Sequence, residues 1–277
     1  MSIPSVTATA PKERKSLGLR RLTRKLAPLI VIVAILAIWE AVVRIFAIPS
    51  FMLPAPSEVF SVGWRTRSII LGAAGQTLLT TLLGFALAVA FGLVAGVIVG
   101  SSRVIYDSIY PTLIGFNSIP KVAIIPILVI WVGIGPVPAV ITAFLISFFP
   151  ILVNVATGIA TVEPELKDVL RALGASQVQI IRKIGLPRSM PYFFASLKVA
   201  ISLAFVGSIT AESIASNQGI GYLMLVASSR FQVPLAFAGL FVTALMGVGM
   251  YAISSAFEKR LTGWTIRDSQ SGIGANG

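Results

Sequence analysis

Residues 161–188 read TVEPELKDVLRALGASQVQIIRKIGLPR and form a polar island between segments that are otherwise apolar. Five basic residues lie in this stretch, at positions 167, 171, 182, 183 and 188. Loops rich in Lys and Arg face the cytoplasm in membrane proteins. The stretch is therefore predicted to be a cytoplasmic loop between two membrane spans, and it is a candidate attachment point for a soluble partner.

The first half of this loop is predicted to form a short amphipathic helix. Pro164 suits the first helical turn, where its missing N–H breaks no hydrogen bond. Apolar residues then recur with helical spacing at positions 166, 169, 170 and 173. Gly174 suits the left-handed residue that ends such a helix. An apolar stripe flanked by charges such as Asp168 and Arg171 is typical of a docking surface, although the stripe could also pack on the protein's own membrane domain.

A second short helix is predicted to follow. Ser176 and Gln179 have the spacing of a capping box. The apolar positions 178, 181 and 184 give this helix its own face, and Pro187 is expected to stop it.

The composition indicates an integral membrane protein. The chain of 277 residues is 56% hydrophobic and only 12% charged, with a mean hydropathy of +0.92, whereas about a quarter of the residues in soluble domains are charged. It has no Cys and no His, so disulfides, thiolate or imidazole metal sites and Ser-His or Cys-His catalysis are excluded. No Gly is followed by Lys, so a Walker A motif is absent and any driving ATP must bind to another chain.

Six apolar regions are long enough to cross a bilayer, which needs about 20 residues per helix. An all-α, polytopic protein is predicted, with spans near residues 27–48, 75–99, 105–134, 137–160, 189–213 and 233–257. The third region contains Pro111, Pro120 and Pro126, and we expect it to be broken.

The distribution of basic residues predicts that both termini are cytoplasmic. Sixteen Lys and Arg residues fall on the side of the 161–188 loop and four on the other side. The net charge of +12 is concentrated in the basic tail 1–26, which suits a topology signal that meets anionic lipid rather than a nucleic-acid site.

Small residues recur every fourth position in the second span, at Gly84, Ala88, Gly92, Gly96 and Gly100. Such a stripe lets a second helix approach to backbone contact. The sequence leaves open whether that helix belongs to another subunit or to the same chain.

Ionisable residues within apolar spans are costly and are candidate functional groups. Glu40 and Arg44 are four residues apart and are predicted to pair, and Lys198 is expected to reach the interface or satisfy carbonyls. Lys121 is a candidate for the translocation path, because it lies beside Asn117 and Ser118 in the broken span; the alternative is a helix-end lysine.

A polar segment with glycines, SIASNQGIGY, follows Glu212 near the non-cytoplasmic end of the fifth span. Glu212 and Asn217 are candidate gate residues there. The alternative for Glu212 is a carboxylate that caps a helix.

The loop resembles a motif of the bacterial binding-protein-dependent ABC importer permeases. From Asp168 it reads D-V-L-x3-G-x9-I-x-L-P, with Ile184 and Pro187 where that family ends its cytoplasmic "EAA" loop. The opening triplet departs from Glu-Ala-Ala. The segments 48–59, 117–135 and 211–224 are similar to the nitrate, sulfonate and taurine branch of the family.

The resemblance covers about residues 27–260 and implies a type I importer transmembrane fold with a further cytoplasmic tail at 261–277. It implies two cytoplasmic ATPase subunits that bind ATP and Mg²⁺ and grip the loop, a periplasmic or lipid-anchored solute-binding protein, and a second permease copy or a related subunit. It implies no cofactor in this chain and a small anion as solute, sulfonate-like first. The protein is expected to lie in the bacterial inner membrane.

Two other classes of membrane protein remain as alternatives. An ion-coupled secondary transporter would also have broken helices and buried charges, but no internal repeat is evident. A membrane-embedded enzyme would need a cluster of catalytic side chains. With ten acidic residues and no His or Cys, the chain offers few candidates for such a cluster.

Overall fold

The structure is a computed structural model that describes residues 13–261, with the side chains of residues 27–258 and 260. This part of the chain is helical and contains no strand. The elements in order are α1 (Glu13–Ile45), α2 (Pro56–Arg65), α3 (Arg67–Ser101), α4 (Arg103–Asn117), a 3-10 turn (Lys121–Ile124), α5 (Ile125–Val132), α6 (Pro136–Ala160), α7 (Pro164–Ala172), α8 (Gln177–Ile180), a π-turn (Ile181–Gly185), α9 (Leu186–Ala215), α10 (Ile220–Ser229) and α11 (Val233–Leu261).

Five of the described helical segments are long and apolar enough to cross a membrane, and α4 with the helix over residues 121–132 forms a bent pair that is either a sixth, broken span or a re-entrant loop. The two halves of that pair meet at 72°. The expected break is therefore present, but it lies at residues 118–120, and Pro111 stays inside α4. The prediction of an all-α polytopic protein is confirmed.

Several boundaries differ from the sequence-based ranges. Helix α3 begins at Arg67 rather than near residue 75. Residues 13–26, predicted as part of a basic tail, continue α1 as helix. Residues 1–12 and 262–277, which hold the rest of the two predicted tails, lie outside the described residues.

The core of the membrane domain is formed by α3, α6 and α9. The glycines of the α3 stripe lie against α6 of the same chain: a Cβ at Gly92 would stand 3.0 Å from the Phe148 carbonyl oxygen, and one at Gly96 would stand 2.8 Å from that of Leu152. Gly84 and Gly100 contact α6 in the same way, and Ala88 is fully buried. The stripe thus serves packing within the chain.

Two ion pairs tie peripheral helices to their neighbours. Glu40 and Arg44 pair at 2.6 Å, as predicted, and Glu40 also accepts hydrogen bonds from the backbone N–H and the hydroxyl of Ser57 in the first turn of α2. Lys198 on α9 pairs with Glu258 on α11 at 2.6 Å. Lys198 therefore pairs with a carboxylate rather than with the backbone carbonyls that were one of its two expected partners, and its reach to the interface stays a prediction.

Candidate functional site

The loop between α6 and α9 begins with α7, whose end is fixed by Gly174. This residue has φ +82°, the left-handed region that glycine adopts without strain. Its N–H donates to the carbonyl of Arg171, and the N–H of Ala175 donates to that of Leu170. These two bonds form a Schellman motif, so the predicted helix end is confirmed, and Pro164 lies in the first turn as expected.

The second helix starts with the predicted capping box. The backbone N–H of Gln179 donates to the Ser176 hydroxyl at 3.3 Å, and the Gln179 side chain accepts from the Ser176 N–H at 2.8 Å. The helix does not stop at Pro187, however. It passes through the π-turn Ile181–Gly185 into α9, giving one helix over Gln177–Ala215. The expected stop is wrong because the π-turn just before Pro187 already replaces the i→i−4 bonds that proline would break.

The apolar stripe of the loop is exposed at three of its seven positions and half-buried at the other four. Val169 is 57% exposed, Leu173 77% and Val178 73%. Ile184 is half-buried, where the helix turns back to the membrane domain. The alternative, that the stripe packs on the protein's own membrane domain, does not hold for these three side chains. An exposed apolar patch of this kind is typical of a protein interface.

Polar contacts join the two ends of the loop, support α7 and attach the loop to α3. Arg188 pairs with Glu163 at 2.8 Å across the two ends of the loop. The Gln177 side chain donates to the carbonyl of Ser101 at the end of α3, at 2.8 Å. Arg171 pairs with Asp168 at 3.1 Å. A force applied to the loop would therefore reach α3, α6 and α9 directly.

A cleft of about 810 Å³ separates α7 from the turn between α3 and α4. Lys167 lines this cleft and is half-buried. Burial, together with the nearby charges of Arg171 and Arg103, holds the pKa of Lys167 below its usual range.

The candidate path residues in the broken span lie together at the exposed bend. The ammonium group of Lys121 donates to the backbone carbonyl of Asn117 at 3.1 Å and to its side-chain oxygen at 2.8 Å. The Ser118 hydroxyl donates to the carbonyl of Ile114. Lys121 thus closes the end of α4, which is the geometry of the helix-end alternative. The side chain also remains partly exposed, so its contact with a solute stays a prediction.

Glu212 lies in the interior, with 1% of its surface exposed. One carboxylate oxygen accepts from the hydroxyl of Thr77 at 2.7 Å and the N–H of Gly221 at 3.2 Å; the other accepts from the hydroxyl of Thr80 at 3.0 Å. The Thr77 hydroxyl in turn accepts from the N–H of Ile220. Glu212 therefore fastens the start of α10 to α3, and contact with a solute would require this segment to move.

Asn217 lies apart from this cluster, exposed on the turn between α9 and α10. Sequence reasoning missed the partners of Glu212. The available signal was a pair of hydroxyl residues at positions 77 and 80, one helical turn apart in an apolar span. Glu212, their partner, lies more than 130 residues away, and no periodicity in the sequence connects it to them.

Comparison with known proteins agrees with this architecture. The riboflavin transport system permease protein RibX of Chloroflexus aurantiacus is 30% identical over 262 residues, which cover 92% of this chain and 98% of that protein. The putative aliphatic sulfonates transport permease protein SsuC of Bacillus subtilis is 26% identical and covers 98% of this chain and 97% of its own length. Both relatives are transport permease subunits.

The fold is that of a solved importer. A chain of the MetNI methionine ABC transporter in inward-facing conformations aligns with a TM-score of 0.62 and 19% identity, covering 72% of this chain and 98% of that chain. The family described as "Binding-protein-dependent transport system inner membrane component" matches residues 88–263. The ion-coupled secondary transporter is thereby set aside. With its five long apolar helices and a bent apolar pair, and with this match over more than half of its length, the chain belongs to the family of inner-membrane permease components of binding-protein-dependent ABC importers.

Proposed function

We propose that this chain forms the translocation path for a small anion and couples it to ATP hydrolysis through the 161–188 loop. The observation that carries the proposal is the exposed stripe of Val169, Leu173 and Val178 on two capped helices. The stripe faces away from the membrane domain, while the loop that bears it is attached to α3 and α9. A partner that covers the stripe would move these helices as a unit, which is a rigid-body switch of access.

The partners follow from this role. Two cytoplasmic ATPase subunits would each cover one loop and would bind the ATP and Mg²⁺, so this chain needs no cofactor. A second permease copy would complete the path, and a periplasmic or lipid-anchored binding protein would deliver the solute to the outer mouth. We place the assembly in the bacterial inner membrane.

The solute is proposed to be a sulfonate-like or other small organic anion. The sulfonate permease relative supports this choice over nearly the whole chain, while the riboflavin permease relative marks the range of solutes among such proteins. At the bend, Lys121 is a cation held in place by Asn117 and partly exposed. A fixed cation beside freed backbone groups suits a weakly held anion.

The segment from Glu212 to Asn217 is proposed as part of the outer gate. Glu212 would hold α10 closed against α3 through Thr77, and the exposed Asn217 would meet the binding protein. Opening would separate this cluster, so Glu212 would act by positioning α10 rather than by binding solute.

The coupling role is tested with two substitutions at one position. Gly174→Asn keeps a residue that tolerates a positive φ, whereas Gly174→Val places a β-branched residue there. The permease would be reconstituted with its ATPase and binding protein, and solute-stimulated ATP hydrolysis would be measured. We expect Gly174→Val to lose most of the stimulation and Gly174→Asn to retain it. Equal stimulation in both variants, with the complex intact, would refute the role of the loop.

The solute path is tested separately by uptake kinetics of an alkanesulfonate. Lys121→Met removes the cation and Lys121→Arg keeps it. We expect a raised KM for uptake only in Lys121→Met. Unchanged kinetics in Lys121→Met would remove Lys121 from the path without affecting the coupling proposal.

A further inference from the structure

Most of the residues that line the cleft between α7 and the α3–α4 turn are polar or charged. On the membrane side it is bounded by residues 100–103 with Tyr106 and Asp107, and on the loop side by residues 160–162, 164, 167, 168, 171 and 177. Its volume of about 810 Å³ is within the usual range of small-molecule pockets. It lies at the C-terminal end of α3, the end that the distribution of Lys and Arg predicts to be cytoplasmic.

Positive charge in this cleft exceeds the carboxylates available to neutralise it. Arg103, Lys167 and Arg171 line it, against Asp107 and Asp168. Arg171 is paired with Asp168. Within the part of the chain whose side chains are described, the side chains of Arg103 and Lys167 make no hydrogen bond or ion pair.

The surroundings of Lys167 are unfavourable to its own charge. Burial lowers the pKa of its ammonium group, and the neighbouring Arg171 and Arg103 lower it further. A bound anion would counteract the repulsion from Arg171 and Arg103 and would offset the cost of burying the Lys167 ammonium group. The Ser102 hydroxyl, which makes no capping bond to α4, is a further donor in the same wall.

This basic surface is not the face that the loop offers to an ATPase. The residues of α7 that line the cleft stand at positions 164, 167, 168 and 171, the i, i+3, i+4, i+7 spacing of a single helix face. Val169 and Leu173 lie on the opposite face and are exposed. A partner that covers the apolar stripe would leave the cleft between α7 and the membrane domain.

We propose that this cleft is a binding site for a tetrahedral oxyanion, held by Arg103, Lys167 and the Ser102 hydroxyl. Arg103 belongs to the membrane domain and Lys167 to the loop, so the oxyanion would bridge the two across the cleft. The ligand chemistry is a phosphate group, either of an anionic lipid headgroup or of a soluble cytoplasmic phosphate. The inference is independent of the solute, and it rests on the proposed coupling role only for the statement that an ATPase on the apolar stripe leaves the cleft free.

The test measures binding of radiolabelled inorganic phosphate to the full-length permease in nanodiscs of zwitterionic phosphatidylcholine. Arg103→Gln and Lys167→Gln are each expected to weaken binding roughly tenfold, as the loss of one charge-assisted contact would. Lys167→Arg, which keeps the charge, should bind nearly as wild type. Lys183→Gln removes an exposed loop cation outside the cleft and is the matched control. A thermal unfolding curve of each variant verifies that it is folded.

A second arm distinguishes the two sources of phosphate. The same permeases are placed in nanodiscs with a fixed fraction of phosphatidylglycerol, and the lipid retained after detergent extraction is measured. Phosphatidylglycerol retained by wild type and Lys183→Gln but lost in Lys167→Gln identifies a headgroup as the occupant. Phosphate binding that is insensitive to phosphatidylglycerol identifies a soluble anion. If neither ligand depends on Arg103 and Lys167, or if Lys183→Gln is affected equally, the site does not exist.

Discussion

The close contact between α3 and α6 makes a sharp prediction for Gly96→Ala. A Cβ at this position would stand 2.7 Å from the Cβ of Val155, 2.8 Å from the Leu152 carbonyl oxygen and 2.9 Å from a Val155 methyl carbon. Favourable carbon contacts lie at about 3.5–4.0 Å. One added methyl therefore forces α6 away by roughly 1 Å along a seam where Gly92 and Gly100 make similar contacts.

The expected magnitude is the difference between two opposing effects. Overpacking of a tight interface costs about 1–3 kcal/mol, while replacing glycine by alanine in a helix gains up to about 1 kcal/mol. A net loss of about 1–2 kcal/mol of unfolding free energy is expected for Gly96→Ala. Gly75, on the same helix, has no atom within 4 Å of a built Cβ. Gly75→Ala should therefore be neutral or slightly stabilising.

The assay is unfolding of the purified permease in mild detergent, titrated with a denaturing detergent and followed by circular dichroism. Gly96→Ala should unfold at lower denaturant than wild type, and Gly75→Ala should not. Equal or greater stability of Gly96→Ala would show that α3 and α6 are not in backbone contact. A loss of the same size in Gly75→Ala would show that the effect belongs to the helix and not to the seam.

Three further predictions test other contacts of the membrane domain. Glu212→Ala should cost about 2–4 kcal/mol of unfolding free energy, because it leaves the donors around the carboxylate unpaired and opens a cavity. Glu212→Gln should cost less. Equal losses for the two variants in the same denaturant titration would argue against the hydrogen-bond network. Gly219→Ala should lower solute uptake, since φ is +96° there and the new Cβ would collide with the Glu212 carboxylate; normal uptake would mean that the turn is not held as the structure shows. Lys198→Met and Glu258→Gln should be coupled by about 0.5–1 kcal/mol in a double-mutant cycle of stability, and purely additive effects would show that the 2.6 Å pair contributes nothing.

The local structure of the loop could be predicted from the sequence because its signals are short-range. Gly174 and the Ser176–Gln179 pair act on backbone groups within five residues of themselves, and the structure shows both devices. The helix end predicted at Pro187 is wrong because the effect of this proline depends on the conformation of the helix before it. A π-turn at residues 181–185 carries no recognisable sequence signature, and it lets the helix continue into α9.

The sequence by itself determined the all-α membrane fold and the break in the third span, because hydropathy and proline act along the chain. The cytoplasmic orientation of the loop, which follows from Lys and Arg placement, stays a prediction. The tertiary structure decided which surfaces meet. It assigned the glycine stripe of α3 to α6, buried Glu212 among hydroxyls of α3, and placed Arg103 and Lys167 in one cleft. These contacts join residues about 50 to 140 positions apart, and no local pattern in a single sequence connects residues that are so distant. Helices in a membrane are paired by shape and by the need to satisfy buried polar groups, and both become visible only when the helices are packed.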